Sequence, residues 1–211
     1  TEIGFGAAGQ LKKVPLDRGS PFTLARLGGG FVGGAWSPDG RTIVVVISGA
    51  GLAEVPSGGG VPTIRVASRF SSYFRPSWLP STNGKRLVIA GWGTMGRQSL
   101  VLLNLDTGTR ASVLREGAFP AWSPAGYLLY QPDPFTPGVL ALKLSANSEK
   151  VEGQPIPLLN QGTDFSTSAD GTMVWVDTAA QQRLLTWRDR SGKKIDGTKL
   201  PTMNGTNYLA L

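Results

Sequence analysis

The chain has 211 residues, 40% hydrophobic and 17% charged, with a formal net charge of +7 and neither cysteine nor histidine. This length suits one domain of the long all-β kind, and the two absences exclude disulfides, thiol catalysis, thiolate metal sites, Ser-His-Asp triads and histidine-ligated zinc within the chain. Glycine and proline, 29 and 15 residues, suit a turn-rich protein, and no segment keeps a helical period for three turns.

In chain order, residues 2–5, 10–16 and 22–27 read as three short strands, the last two joined at Asp17-Arg18-Gly19. A hairpin follows. Trp36-Ser37-Pro38-Asp39-Gly40 leads into Thr42-Ile43-Val44-Val45-Val46, then strands over 52–55 and 63–67. Pro38 pre-sets the φ of a type I turn, Asp39 bonds nearby backbone N–H groups, and Gly40 takes the left-handed conformation that closes the hairpin. The acid–base or metal reading of Asp39 and Asp170 yields to turn geometry, because the Asp-Gly pair stands where a hairpin needs it.

The unit recurs. Trp78 leads through Asn83-Gly84 to strands over 87–90, 100–105 and 111–114. Trp122 leads through Pro124-Ala125-Gly126 to 127–131, 139–144 and 156–159. Residues 165–168 lead through Asp170-Gly171 to 172–177, 183–188 and 194–200. The turn glycines Gly40, Gly84, Gly126 and Gly171 lie 44, 42 and 45 residues apart. Several short strands per period of about 40–45 residues predict an all-β propeller of four-stranded antiparallel blades. The expected blades are 28–68, 69–115, 116–160 and 161–204, plus a composite of 1–27 with 205–211. Trp36 or Trp78 is expected to fill the wedge between blades.

Two closures are open. The ends meet in a five-bladed ring, or the chain is an arc of a larger propeller. Starting at Thr1 and ending in a strand-like Asn207-Tyr208-Leu209-Ala210-Leu211, the chain is expected to be a segment of a longer protein.

Gly28-Gly29-Gly30-Phe31-Val32-Gly33 and Gly91-Trp92-Gly93-Thr94-Met95-Gly96 match G-x-G-x-x-G, but a strand and not a helix follows each, so both are expected to be inter-strand loops without a nucleotide. Between Arg183 and Lys199 stand six basic residues against two acidic ones. One aromatic, Trp187, stands among them and not the several of a stacking platform, so a solvated outer edge is expected rather than a nucleic-acid surface. No apolar run approaches the roughly 18 residues of a membrane-spanning helix. Five-bladed glycoside hydrolases need carboxylates converging on the channel. Only Glu116 and Asp164 precede inner strands, and both are expected to be solvated loop charges.

An aromatic stands near the entrance of each inner strand: Phe31, Tyr73, Phe74, Phe119, Phe165 and Tyr208. Arg69 and Arg75 flank the second group. Aromatic and arginine side chains together are a hot-spot composition. The candidate binding mouth is therefore Arg69, Tyr73, Phe74, Arg75, Phe119 and Phe165, with a protein or small molecule as partner and neither cofactor nor metal. The competing reading packs the aromatics between blades.

With these repeats in hand the chain resembles the TolB-like, WD-repeat-like bacterial propellers. The order Gly126-Tyr127-Leu128-Leu129-Tyr130, Val139-Leu140-Ala141-Leu142, Gly153-Gln154-Pro155-Ile156-Pro157, Ser168-Ala169-Asp170-Gly171-Thr172-Met173-Val174-Trp175-Val176 and Trp187-Arg188-Asp189 is similar to the C-terminal sensor propellers of membrane-anchored bacterial serine/threonine kinases. The likeness spans residues 120–195. It implies a non-catalytic sensing or scaffolding domain on the extracytoplasmic side of a bacterial membrane. The rival assignments are the gating propeller of a tricorn- or prolyl-oligopeptidase-like peptidase, a free-standing periplasmic TolB-like adaptor and a five-bladed glycoside hydrolase.

Overall fold

The computed structural model describes residues 2–17, 19–67, 73–80, 85–92, 97–145, 150–168 and 171–177. Of two compact units, Thr1–Val176 holds every described element; apart from Asp177, the second, Asp177–Leu211, lies outside the described residues. The basic run 183–199, the last two strands of the fourth repeat and the proposed closure by residues 207–211 therefore also lie outside them.

All described elements are strands. A three-stranded antiparallel sheet comes first: β1 (Glu2–Ala7), β2 (Gln10–Pro15) and β3 (Phe22–Arg26). The next sheet is β4 (Phe31–Trp36), β5 (Thr42–Ile47), β6 (Gly51–Pro56) and β7 (Thr63–Ala67), in that order. Then come β8 (Tyr73–Leu79), β9 (Arg86–Trp92), β10 (Gln98–Asn104) and β11 (Thr109–Glu116), and after them β12 (Ala118–Ser123), β13 (Tyr127–Gln131), β14 (Val139–Leu144) and β15 (Val151–Leu159). The pair β16 (Thr163–Thr167) and β17 (Met173–Val176) ends the described part. Up-and-down sheets packed face to face in sequence, with β4, β8, β12 and β16 each touching the next, are the blades of a propeller around its inner strands.

The second strand of each blade explains the packing. Ile43, Val44, Val45, Val46 and Ile47 are all buried, because this sheet is covered on both faces. Successive residues point to opposite faces. Ile43, Val45 and Ile47 meet Leu11, Leu24 and Leu27 of the first sheet. Val44 and Val46 meet Leu87, Ile89, Val101 and Leu103 of the following blade. The next interface repeats this, with Val88, Leu100 and Leu102 against Leu128, Tyr130 and Leu142. Each such side chain contributes about 1.5–3 kcal/mol on burial. The tryptophans seal these seams: Trp36, Trp78 and Trp122 pack on three successive clusters. Trp78 also donates its indole N–H to the Ala35 carbonyl of the preceding blade (3.3 Å).

The hairpins form as their residues dictate. Gly40 N–H donates to the Ser37 carbonyl (2.9 Å). The Ser37 hydroxyl donates to Asp39 Oδ1 (2.5 Å), which also accepts Arg41 N–H (3.1 Å). Gly40, Gly126 and Gly171 have φ of 69°, 87° and 89° taken in the order Gly40, Gly171, Gly126. Gly84 lies outside the described residues. One buried carboxylate ties two blades. Glu54, with only 6% of its side chain exposed, accepts Arg65 Nε (2.5 Å) from its own blade and Lys85 Nζ (2.8 Å) from the next.

Candidate functional site

Inner strands line the central channel of a propeller. Here each of the four described inner strands, β4, β8, β12 and β16, carries an irregularity at the same place. The pairing of β4 with β5 slips between Phe31 and Gly33, β8 with β9 between Phe74 and Ser77, β12 with β13 between Ala118 and Ala121, and β16 with β17 between Thr163 and Ser166. These are β-bulges, which bend a strand and re-aim a side chain. Gly33, Arg75, Phe119 and Asp164 each stand four residues before Ser37, Leu79, Ser123 and Ser168, so they occupy one column of the repeat, 42, 44 and 45 residues apart.

Three of the four are strained. Arg75, Phe119 and Asp164 have φ of 44°, 50° and 46° without being glycine. Left-handed backbone costs such residues roughly 1–2 kcal/mol each. The fourth position is Gly33, and a Cβ there would lie 3.3 Å from Arg75 N, so the small residue lets the Arg75 backbone come close.

The strained residues meet. The Arg75 guanidinium lies over the Phe119 ring, 4.3 Å from its centroid, and Nη2 donates to Asp164 Oδ1. A side chain of the second full blade thus crosses the third to reach the carboxylate of the fourth. The Arg75 and Asp164 side chains are 34% and 32% exposed, so the pair sits at a surface that solvent reaches. Its framework is held by bonds between neighbouring blades. Trp122 N–H donates to Ser77 Oγ (2.9 Å), the Thr167 hydroxyl to the Trp122 carbonyl (2.8 Å), and the Thr163 hydroxyl to Oε1 of the buried Gln131 (3.1 Å). The result is a pre-positioned cation on an aromatic face with a carboxylate beside it. The guanidinium offers N–H donors and the carboxylate a charged acceptor at a surface that solvent reaches.

The six residues expected at the mouth fare differently. Arg75 and Phe119 come together. Tyr73 and Phe74 stand in β8, paired with Gly91 and Ala90, two residues and one residue ahead of Arg75. Arg69 lies outside the described residues. Phe165 is 7% exposed and packs with Leu129, Val139 and Ala141, so it is a core residue and leaves the mouth. At this bulge Asp164 meets Arg75 while its neighbour Phe165 enters the core. Of the other entrance aromatics, Phe31 packs on the cluster of the first interface, and Tyr208 lies outside the described residues.

Asp164 was expected as a solvated loop charge. It is instead a strand residue bound to Arg75. Glu116 closes β11 and pairs with Arg97 (2.9 Å), both largely exposed. Asp164 and Gly33 are the site residues that residue-type reasoning misses, and the column four residues before the turn is the signal that finds them. Of the first glycine-rich motif, Gly28 to Gly30 form the connection, and Phe31 to Gly33 belong to β4.

No family model matches the sequence. No curated protein matches it either. Solved structures do. TolB from Acinetobacter baumannii aligns with TM-score 0.64 at 15% identity, covering 82% of this chain and 44% of that one. A TolB from Agrobacterium tumefaciens, described as putative, aligns with TM-score 0.63 at 17% identity over 92% of this chain and 76% of that one. The chain has a TolB-like β-propeller fold. Hydrazine synthase from Kuenenia stuttgartiensis also aligns, with TM-score 0.54 at 17% identity over 78% of this chain and 54% of that one. This chain thus spans about half the length of the first and last of these structures. With an enzyme among the neighbours, the shared propeller settles architecture and leaves activity to the site.

Proposed function

We propose that this propeller is a non-catalytic binding module whose partner docks on the channel mouth at Arg75, Phe119 and Asp164. The observation that carries the reading is the strain: three non-glycine residues at one position of successive inner strands keep left-handed backbone and direct their side chains to a common point. Strain of this kind persists where surrounding structure over-determines it and clusters at ligand clamps. Arginine over an aromatic ring is rigid, large in contact area and capable of bidentate recognition. In this reading Arg69, Tyr73 and Phe74, which precede Arg75 in the sequence, contribute to the same docking surface.

The module's setting in this reading is the extracytoplasmic sensor or scaffold region of a bacterial serine/threonine kinase. Support comes from the motif order over residues 120–195 and from the TolB-like fold. A coding sequence with a kinase domain and one transmembrane helix upstream fits it; a G-x-S-x-G hydrolase domain downstream points to a peptidase gate instead.

The test is retention of extracytoplasmic bacterial proteins on the immobilised chain. Arg75→Glu should abolish retention of a specific partner that the parent chain holds. Asp39→Ala, in the opposite turn, should leave it intact. Equal retention by all three chains removes the mouth as the docking site.

A further inference from the structure

The loop between β13 and β14 carries the most exposed large aromatic among the described residues, Phe135, with 84% of its surface exposed. Single exposed apolar residues are ordinary on a protein surface. This one is held in place. Pro132, Pro134 and Pro137 fix φ at three positions around it. Asp133 Oδ1 accepts Phe135 N–H (2.8 Å) and Thr136 N–H (2.9 Å), and Gln131 Nε2 donates to the Thr136 carbonyl (3.2 Å). The one charge of the loop, Asp133, is thus engaged by its own backbone, and what the loop offers outward is an apolar ring. A ring already fixed loses little freedom on docking, which suits it to anchor a partner.

The same loop is tied to the mouth. Gln131 is 1% exposed and uses both ends of its amide: Nε2 holds Thr136 while Oε1 accepts the Thr163 hydroxyl (3.1 Å). Its backbone pairs with Ala118. Thr163 immediately precedes Asp164, and Ala118 immediately precedes Phe119, so one buried residue meets the neighbours of two of the three strained positions. At the far end of the loop Gly138 N–H donates to the Gly162 carbonyl (2.9 Å), two residues before Asp164. An amide supplies a donor and an acceptor at once; an ionised carboxylate cannot donate, and leucine does neither. Phe135 and the Arg75–Phe119–Asp164 group therefore stand on one braced framework. Both lie at the end of the blades shared by the connections into inner strands and the loops between second and third strands.

We infer that the partner of the mouth is a folded protein that seats Phe135 in an apolar pocket while it contacts Arg75, and that Gln131 is the positioning residue that holds the loop and Asp164 in one arrangement. Arg75 is on β8 and Phe135 follows β13 of the next blade, so a partner that meets both spans two blades. This assignment rests on docking at the mouth; it adds a rim contact and fixes the class of partner.

The test is photo-crosslinking in bacterial cells from benzoylphenylalanine placed in turn at Phe119, at Phe135 and at Val61, with adducts identified by mass spectrometry. Val61 is an equally exposed apolar residue (85%) in the loop between β6 and β7, at the opposite end. Phe119 and Phe135 should give an adduct with the same protein, and Val61 none. Phe135→Ser, at an exposed position, should reduce the Phe119 adduct about tenfold, as loss of an anchor does. Positioning has its own readout, the ring-current shift of the Arg75 side-chain protons over the Phe119 ring in NMR spectra of the full chain. Thr163→Val removes the hydroxyl that Gln131 accepts and should lose most of that shift; Thr163→Ser keeps a hydroxyl and should restore it. A Phe119 adduct without the same adduct at Phe135, or one indifferent to Phe135→Ser, overturns the inference and leaves docking at the mouth standing. An equal adduct at Val61 overturns it as well. No adduct at Phe119 removes the mouth, and the inference falls with it. An Arg75 shift unchanged by Thr163→Val, or lost equally in Thr163→Ser, overturns the role of Gln131.

Discussion

Replacing Arg75 by glycine and by alanine separates backbone strain from side-chain contact. Both variants lose the ion pair with Asp164 and the stack on Phe119. The pair is about one-third exposed on each side, so screening limits it to about 0.5 kcal/mol. The stack adds about 0.5–1 kcal/mol. Alanine keeps the left-handed cost at φ 44°, so Arg75→Ala should destabilise by about 1–1.5 kcal/mol. Glycine recovers about 1 kcal/mol of that cost, after its larger unfolded-state entropy, and Arg75→Gly should fall within about 0.5 kcal/mol of the parent. Urea denaturation with a common m value measures both. Alanine as stable as glycine would show that Arg75 is not strained, and the inference from strain to docking would fail with it.

Three further outcomes follow from other parts of the molecule. Glu54→Gln should cost about 1–2 kcal/mol, because an amide faces the donors of Arg65 and Lys85, which are 40% and 45% exposed; Glu54→Leu, which lets both cations turn to water, should cost less in the same denaturation assay. Tyr130 has its hydroxyl buried without a partner, and burial pushes its pKa above the ordinary phenol value, so Tyr130→Phe should hold or raise stability by about 1 kcal/mol; a comparable loss would reveal a bond to that hydroxyl. The Ser37 hydroxyl, followed by Arg41 N–H, holds the Asp39 carboxyl below its ordinary value. Its contribution is thus present above the unfolded pKa and lost as pH falls through the lower folded one. A carbon-13 titration should find its midpoint below about 3.9, and a midpoint at or above that value contradicts the turn network.

The propeller was legible because its turns are chemical and its blades repeat. Pro38-Asp39-Gly40 can scarcely do anything but turn, and the run Ile43 to Ile47 is apolar on both faces because a blade lies on each side. The bulges were not legible from residue type. Arginine and phenylalanine have no preference for left-handed backbone, and the channel geometry imposes it at Arg75 and Phe119. A bulge also resets the two-residue alternation, so nearness to the strand entrance does not tell which side Phe165 faces. β15 begins at Val151, where only residues 156–159 read as strand. Glycine and proline are unusual inside strands, and the outermost position of the blade tolerates Gly153, Pro155 and Pro157.

The most direct measurement of mouth docking is photo-crosslinking in cells from benzoylphenylalanine placed at Phe119, set against the same probe at Asp39 on the opposite end. The mouth position should yield one defined adduct, lost when Arg75→Glu is added, and the turn position should yield none. An adduct that forms equally from both ends, or that persists with Arg75→Glu, would contradict docking at the channel mouth.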